Sequence, residues 1–483
     1  YFDNEKWAQS LEYYNRIITN PKSRLYQFAL YKAAWSNYKL RQVKTGLKYL
    51  ELVVRAEQSE QGTRSRVSRL RLAEEARRDI IVFFAESGTY KNAKSYFRRV
   101  FPKEQIDEQL EKLAFYYSSV GQRKAARYFF EGLIRDNPNS PRAYEYQYQI
   151  VSLYQIAGNT KVFLSELYEW IKDYGPRSSW ARNNQQNTEL ISKSQKLIET
   201  TLRTYVLQQH QTAQNSRDPN TQTLALNGYN LYFQTFEKTP QLGNMHFFYG
   251  ELLFDMKKYR AAAEQYLWVS ENDKENKFYN KAVLNALLAI EKDLPTQEQI
   301  KKVVGNSKAA VPLDSTTKTF EKVAQSYFVA HGNSKDSLDI RFRLGTLYYF
   351  YNHFNKAIES FKVIYTSSPK HQYAIDSAHL VLDIYNGQKD FENLRKEATA
   401  MLEVKDLVRG KFKDQINKIL VRTSFKQAQN LEEVKDYKKS AESYESFANQ
   451  FKGSDLATGA LFNAAVNFER VGEVVPALKN YER

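Results

Sequence analysis

The sequence contains no cysteine. Disulfides, thiol catalysis and cysteine-held zinc are therefore excluded. Glycine (18) and proline (11) are scarce among 483 residues, which argues against an all-β fold with many tight turns and against a disordered chain. No apolar run approaches the roughly 20 residues needed to cross a bilayer as a helix; the longest is Ile80-Ile81-Val82-Phe83-Phe84-Ala85. The chain also lacks an H-E-x-x-H pair, a G-x-S-x-G elbow, a glycine-rich phosphate loop and an EF-hand pattern, so the common motifs of metal, acyl-transfer and nucleotide chemistry are missing.

Aromatic residues are plentiful. There are 35 tyrosines and 29 phenylalanines but only 3 methionines, and hydrophobic residues make up 42% of the chain. The net charge of +16 favours acidic surroundings: an acidic protein, anionic cell-wall polymer, lipid headgroups or nucleic acid. The sequence opens at Tyr1 without a methionine and closes at Arg483 within a helical pattern, so we expect a piece of a longer protein.

Self-similarity organises the chain. Gly345 is followed by Tyr348, Ala357, Phe361 and Pro369, at offsets +3, +12, +16 and +24. Ala114 leads to Tyr117, Ala126, Phe130 and Pro138 at the same offsets. The core of the pattern recurs in Gly250–Ala262–Tyr266, Ala465–Phe468–Ala477–Tyr481, Ile81–Phe84–Ala93–Phe97, Ala34–Gly46–Leu50 and Val151–Tyr154–Phe163–Leu167. Two antiparallel helices explain it. A small residue on each lets the backbones approach, and large residues three or four positions away fill the space beside them.

The stretch Leu344-Gly345-x2-Tyr348…Ala357-x3-Phe361…Pro369 resembles the tetratricopeptide repeat signature W-x2-L-G-x2-Y…A-x3-F…P, with Arg341 in place of the leading tryptophan. The resemblance implies an all-α, right-handed solenoid of about eleven or twelve hairpins. We expect one array over 1–210, a polar loop at 211–222 where the array can kink, and a second array over 223–483 that continues beyond the fragment. Long gaps fall after Leu50, after Leu167 and around 293–320. The segment Leu30-Tyr31-Lys32-Ala33-Ala34-Trp35, followed by Tyr38, resembles a variant in repeat proteins of bacterial cell envelopes, including gliding and outer-membrane assembly systems.

In such arrays the first helix of each hairpin lines the concave groove. The resemblance therefore points to Tyr31, Trp35, Tyr38, Tyr148, Phe247, Phe254, Phe342, Tyr349 and Phe462 as groove residues, aromatic anchors being typical of interfaces. The carboxylate clamp that some members carry is replaced by Phe342, Thr346 and Tyr349. Arg64, Arg71 and Arg78 are seven apart and would share a helix face, a candidate anion-binding stripe set against the plainer reading of a solvated face beside Glu74 and Glu75. Of the six histidines, His371 and His379 are eight apart and could share a helix face, but all read as ordinary surface or hairpin residues, and neither a metal nor a cofactor is expected.

These readings converge on a non-catalytic protein-interaction scaffold in a multi-protein complex, periplasmic or envelope-associated, with a partner protein in its groove and anionic polymer or headgroups nearby. A cytoplasmic location is the alternative. Rival functions are a basic solenoid that binds nucleic acid, which the lack of a base-reading module disfavours, and a helical appendage of an enzyme lying outside these residues.

Overall fold

The computed structural model describes the backbone of residues 1–58, 66–87 and 89–483, and the side chains of 1–56, 72–87 and 89–483. The described residues form α-helices joined by turns, two of them single 3-10 turns, and no strand. The chain divides into two compact units, Tyr1–Gln209 with Asn230–Glu237, and His210–Tyr229 with Lys238–Arg483.

In the first unit helix Trp7–Ile18 precedes the pairs Tyr26–Lys39 with Val43–Gln58, Arg66–Ser87 with Ala93–Val100, Ile106–Ser119 with Arg123–Asp136, and Ala143–Ile156 with Thr160–Tyr174. Helices Thr188–Ser216 and Pro219–Thr235 follow, and the boundary between units passes through both. The second unit continues with Leu242–Asp255 and Tyr259–Asn272, Tyr279–Glu291 and Ser315–His331, Lys335–Phe350 and Phe354–Ser367, Ala374–Gly387 and Phe391–Glu403, Gly410–Glu433 and Tyr437–Gln450, and Ala457–Arg470 and Val474–Glu482. Helices pack mainly on their neighbours in sequence, which makes the architecture an all-α solenoid.

The expected loop at 211–222 is corrected by the structure. Helix continues to Ser216 and resumes at Pro219, leaving only Arg217 and Asp218 between. A polar run without glycine has no reason to leave the helix. Pro219 suits a first turn, and Asp218 Oδ2 accepts the amide of Thr221 at 3.1 Å.

Each hairpin closes where the sequence pattern places its small residues. A Cβ on Gly345 would lie 2.7 Å from the ring of Phe361, and one on Gly250 would lie 2.7 Å from Tyr266. On Gly46 it would meet the carbonyl oxygen of Ala34. The large partners Leu50, Phe97, Phe130, Leu167, Tyr266, Phe361 and Tyr444 are buried.

The turn inside the hairpin repeats with equal regularity. Seven residues after the first helix's packing position, which is small except at Val151 and Leu382, stands a residue with left-handed backbone: Arg41, Gly121, Gly158, Lys257, Asn352, Lys389, Lys435 and Gly472, with φ between 59° and 77°. The next amide bonds back five residues, as in Gln122 N to Tyr117 O, His353 N to Tyr348 O and Asp436 N to Leu431 O. This is the Schellman ending of a helix. Between hairpins a side chain accepts the amide two residues on, as Ser23, Ser140, Asn276 and Ser454 do, forming the turn that restarts the chain.

Left-handed backbone costs a non-glycine residue roughly 1 kcal/mol. Lys389→Gly and Lys435→Gly should therefore each stabilise the chain by about 0.5–1 kcal/mol. Gly345→Ala should destabilise it by about 1–3 kcal/mol, because the ring of Phe361 cannot move aside. Urea melts of the three variants read both signs, and a stabilising Gly345→Ala would contradict the packing described.

Candidate partner-binding cleft

Two of the anticipated groove aromatics, Phe247 and Phe342, stack one hairpin on the next. Phe342 and Phe247 stand three residues before the small positions Gly345 and Gly250. Each stacks on the aromatic thirty-one residues later: Phe342 on Tyr373 (4.1 Å between centroids, 3°) and Phe247 on Phe278 (4.3 Å, 6°). In the repeat of Ala114 the same pair is an ion pair, Glu111 with Arg142. Phe247 is buried and is corrected from groove lining to core.

The other candidates divide similarly. Tyr31 Oη and Trp35 Nε1 both donate to Oδ2 of Asp79 (2.8 and 2.7 Å). Tyr38 stacks on Phe83 and donates to Glu86, Tyr148 packs on Trp170, and Phe254 on Tyr259. Tyr349 meets Phe350 and Phe354 edge-on. Phe462 is 59% exposed and touches Tyr481.

Arg64 lies outside the described residues, as does the side chain of Arg71; Arg78 is exposed on helix Arg66–Ser87. His371 is not on a helix with His379. It sits in the turn before Ala374–Gly387, where Nδ1 accepts the amide of Tyr373 at 3.3 Å. His379 packs on Phe412, His246 stacks on Trp268, and His353 Nε2 bonds the carbonyl of Val311.

Buried tyrosine–glutamate pairs gave no sequence signal beyond the high tyrosine count. Tyr348 donates to Glu321 (2.6 Å), Tyr365 to Glu397 (2.5 Å), Tyr266 to Glu251 (2.5 Å) and Tyr232 to Glu199 (2.7 Å). Burial, reinforced by the neighbouring carboxylates, raises the phenols of Tyr348, Tyr365 and Tyr266 far above their usual range. These pairs explain tyrosine where phenylalanine would fill the same volume: the ring packs and the hydroxyl reaches another helix.

One connection departs from the rule. Helices Tyr279–Glu291 and Ser315–His331 pack as a hairpin, yet residues 292–314 join them in place of a tight turn. Thr296 and Gln299 form a reciprocal cap that starts the short helix Gln297–Val304, which packs on Lys335–Phe350. Ile300 is buried at that contact. The return segment is fastened to the turn after Phe350. Val311 N donates to Tyr351 O (2.9 Å), Asn352 Nδ2 to Ser307 O (2.8 Å), and Tyr351 Oη to Asp314 Oδ2 (2.7 Å).

Asp314 also caps Ser315–His331 by accepting from the amides of Thr316 and Thr317. Burial alone would raise its carboxyl. Hydrogen bonds from Thr317, Tyr351 and the two amides outweigh that and hold it below the usual carboxylate range.

This strap and the first-helix face of Lys335–Phe350 flank an open cleft of about 540 Å³. Pro295, Gln297 and Ile300 form the strap side; Ile340, Phe342, Thr346, Leu347 and Phe350 form the helix side. Its charged rim is Glu291, Asp339 and Arg343. Arg343 pairs with Glu291 at 2.5 Å, and Asp339 accepts from Gln372 at 2.9 Å. Phe342 and Thr346, two of the positions that replace the clamp, thus face a real cavity. Strap residues Pro295 and Ile300 come from a stretch the sequence marked only as a gap in the repeat. Among the described residues no group of histidine, aspartate and glutamate is placed to hold a metal, and no helix is long and apolar enough to cross a membrane.

No family model matches the chain, and no curated protein sequence matches it. Among solved structures it is similar to one described as "Structure of Naa15/Naa10 bound to HypK-THB", at 14% identity over 99% of this chain and 67% of that one, with a TM-score of 0.22. So distant a likeness carries no argument, and the fold rests on the hairpins themselves.

Asp314→Ala should loosen the strap and speed amide exchange at Val311 by roughly tenfold, the usual scale for a lost cap, while exchange in Tyr26–Lys39 stays unchanged. Because the folded carboxyl titrates below its unfolded value, its stabilisation is complete above the unfolded value and is lost as pH falls through the folded one. Wild-type Val311 exchange, corrected for intrinsic rate, should therefore accelerate in acid and the variant's should not. Equal pH profiles would contradict this role.

Proposed function

We propose that the chain is a non-catalytic scaffold that holds a segment of a partner protein in the cleft between the strap 292–314 and helix Lys335–Phe350. The observation that supports this most directly is the cleft itself, about 540 Å³ and lined by apolar and polar side chains alike, where the repeat is interrupted by an excursion pinned at both ends. Concave, mostly apolar sites with a few placed polar groups are the usual form of binding pockets. Its charged groups are tied to one another or to Gln372, an arrangement suited to recognition rather than to moving protons.

The setting we favour is a bacterial envelope complex with the chain in the periplasm. The resemblance of Leu30–Tyr38 to envelope repeat proteins and the absence of cysteine support it. Contact with anionic polymer is a further proposal, supported by the net charge of +16.

A photo-crosslinking residue at Gln297, exposed on the strap side of the cleft, should trap a discrete partner protein in the source cell, recovered in the periplasmic fraction. The same residue at Lys438, in the pair Gly410–Glu433 and Tyr437–Gln450, should not trap it. Phe350→Ala, which removes a half-buried wall ring, should cut the yield at least about tenfold, as loss of an aromatic anchor does. An undiminished yield would overturn the cleft assignment, and recovery in the cytoplasmic fraction would overturn the setting.

A further inference from the structure

Resting on the cleft reading above, we infer that the cleft selects a segment presenting one lysine or arginine beside an apolar side chain. The wall and the rim ask for different things. Half-buried Phe342 and Phe350, backed by the buried Ile300, Ile340 and Leu347, offer apolar surface suited to a side chain of leucine size or to the methylene stem of a long cation. The rim carries two carboxylates, Glu291 and Asp339, against one guanidinium, Arg343.

The ion pair of Arg343 with Glu291 cancels two of these charges and leaves Asp339. Around Asp339 the compensation is weak. Oδ1 accepts from the neutral amide of Gln372 at 2.9 Å and lies 3.3 Å from Nε2 of His371. That nitrogen is buried and makes no hydrogen bond of its own. Oδ2 accepts nothing from the described residues. A carboxylate so weakly compensated at the edge of the cleft favours a cation there. The rest of the chain sets the limit on its number. At a net charge of +16 the protein repels a strongly basic partner at long range, so the fitting segment carries an isolated cation, not a basic run.

The test uses fluorescein-labelled, end-blocked leucine–glycine heptapeptides with a central lysine, arginine, glutamine or glutamate, and the full chain, read by fluorescence anisotropy at low and high salt. The lysine and arginine peptides should bind about fivefold more tightly than the glutamine peptide at low salt, the scale of a partly exposed ion pair. The glutamate peptide should bind most weakly. Asp339→Asn keeps the acceptor for Gln372 and should erase the preference for the lysine and arginine peptides.

Equal binding of the lysine and glutamine peptides, abolished by Thr346→Arg within the cleft, would overturn this inference and leave the cleft reading standing. No binding by any peptide, with the helical circular dichroism of the chain intact, would overturn both. Tightest binding by the glutamate peptide would assign the cleft to an acidic partner instead.

Discussion

The ring of Phe361 lies against the backbone of Gly345 so closely that a single methyl group would collide with it. Tyr266 and Gly250 repeat the contact. Two helix backbones can approach closely only where the facing residue is small, glycine at the tightest contacts, and the ring then fills the angle between them. Once that distance is set, the turn between the helices has little freedom. A Schellman ending with one left-handed residue seven positions after the small residue satisfies the last carbonyls in a fixed number of residues. The chain accepts a lysine or arginine there, at a cost, to keep the geometry.

A fixed hairpin also fixes what the next hairpin meets. The residue three before the small position and the residue thirty-one later face each other, and the chain fills the pair with stacked rings in Phe342–Tyr373 and Phe247–Phe278 or with an ion pair in Glu111–Arg142. Tyrosine–glutamate hydrogen bonds then tie helices where the rings alone would only pack. Against that regularity the excursion 292–314 stands out. Its cap, its buried Ile300 and its bonds to Tyr351 and Asn352 hold it against a first helix, and the cleft is the space left between.

The hairpins were legible because their constraint is local and strong: small and large residues at these fixed offsets fit two closely packed antiparallel helices and little else. The groove was harder to read. A ring three residues before Gly345 has the same spacing whether it meets a partner or the next hairpin, so Phe247 looked like an anchor and is core. The stretch 211–222 looked like a loop because it is polar, but polarity without glycine does not end a helix, and only Arg217 and Asp218 leave it. The strap appeared only as missing repeat. Its wall residues Pro295 and Ile300 depend on a tertiary contact with a helix some forty residues on, which no local pattern encodes. Glu321, Glu397 and Asp79 are likewise ordinary acids in sequence and become partners of buried or half-buried rings only in the fold.

If the cleft exists because the strap does, binding and folding should separate when the strap is removed. Residues 292–314 can be replaced by a turn copied from 351–353, joining Tyr279–Glu291 to Ser315–His331 as the other hairpins are joined. Isothermal titration of that variant with the partner trapped at the cleft is the most direct measurement. We predict a helical, cooperatively melting protein with no measurable affinity. A folded variant that binds as the wild type does would contradict the account, because the partner would then be recognised by the bare repeat and not by the interruption.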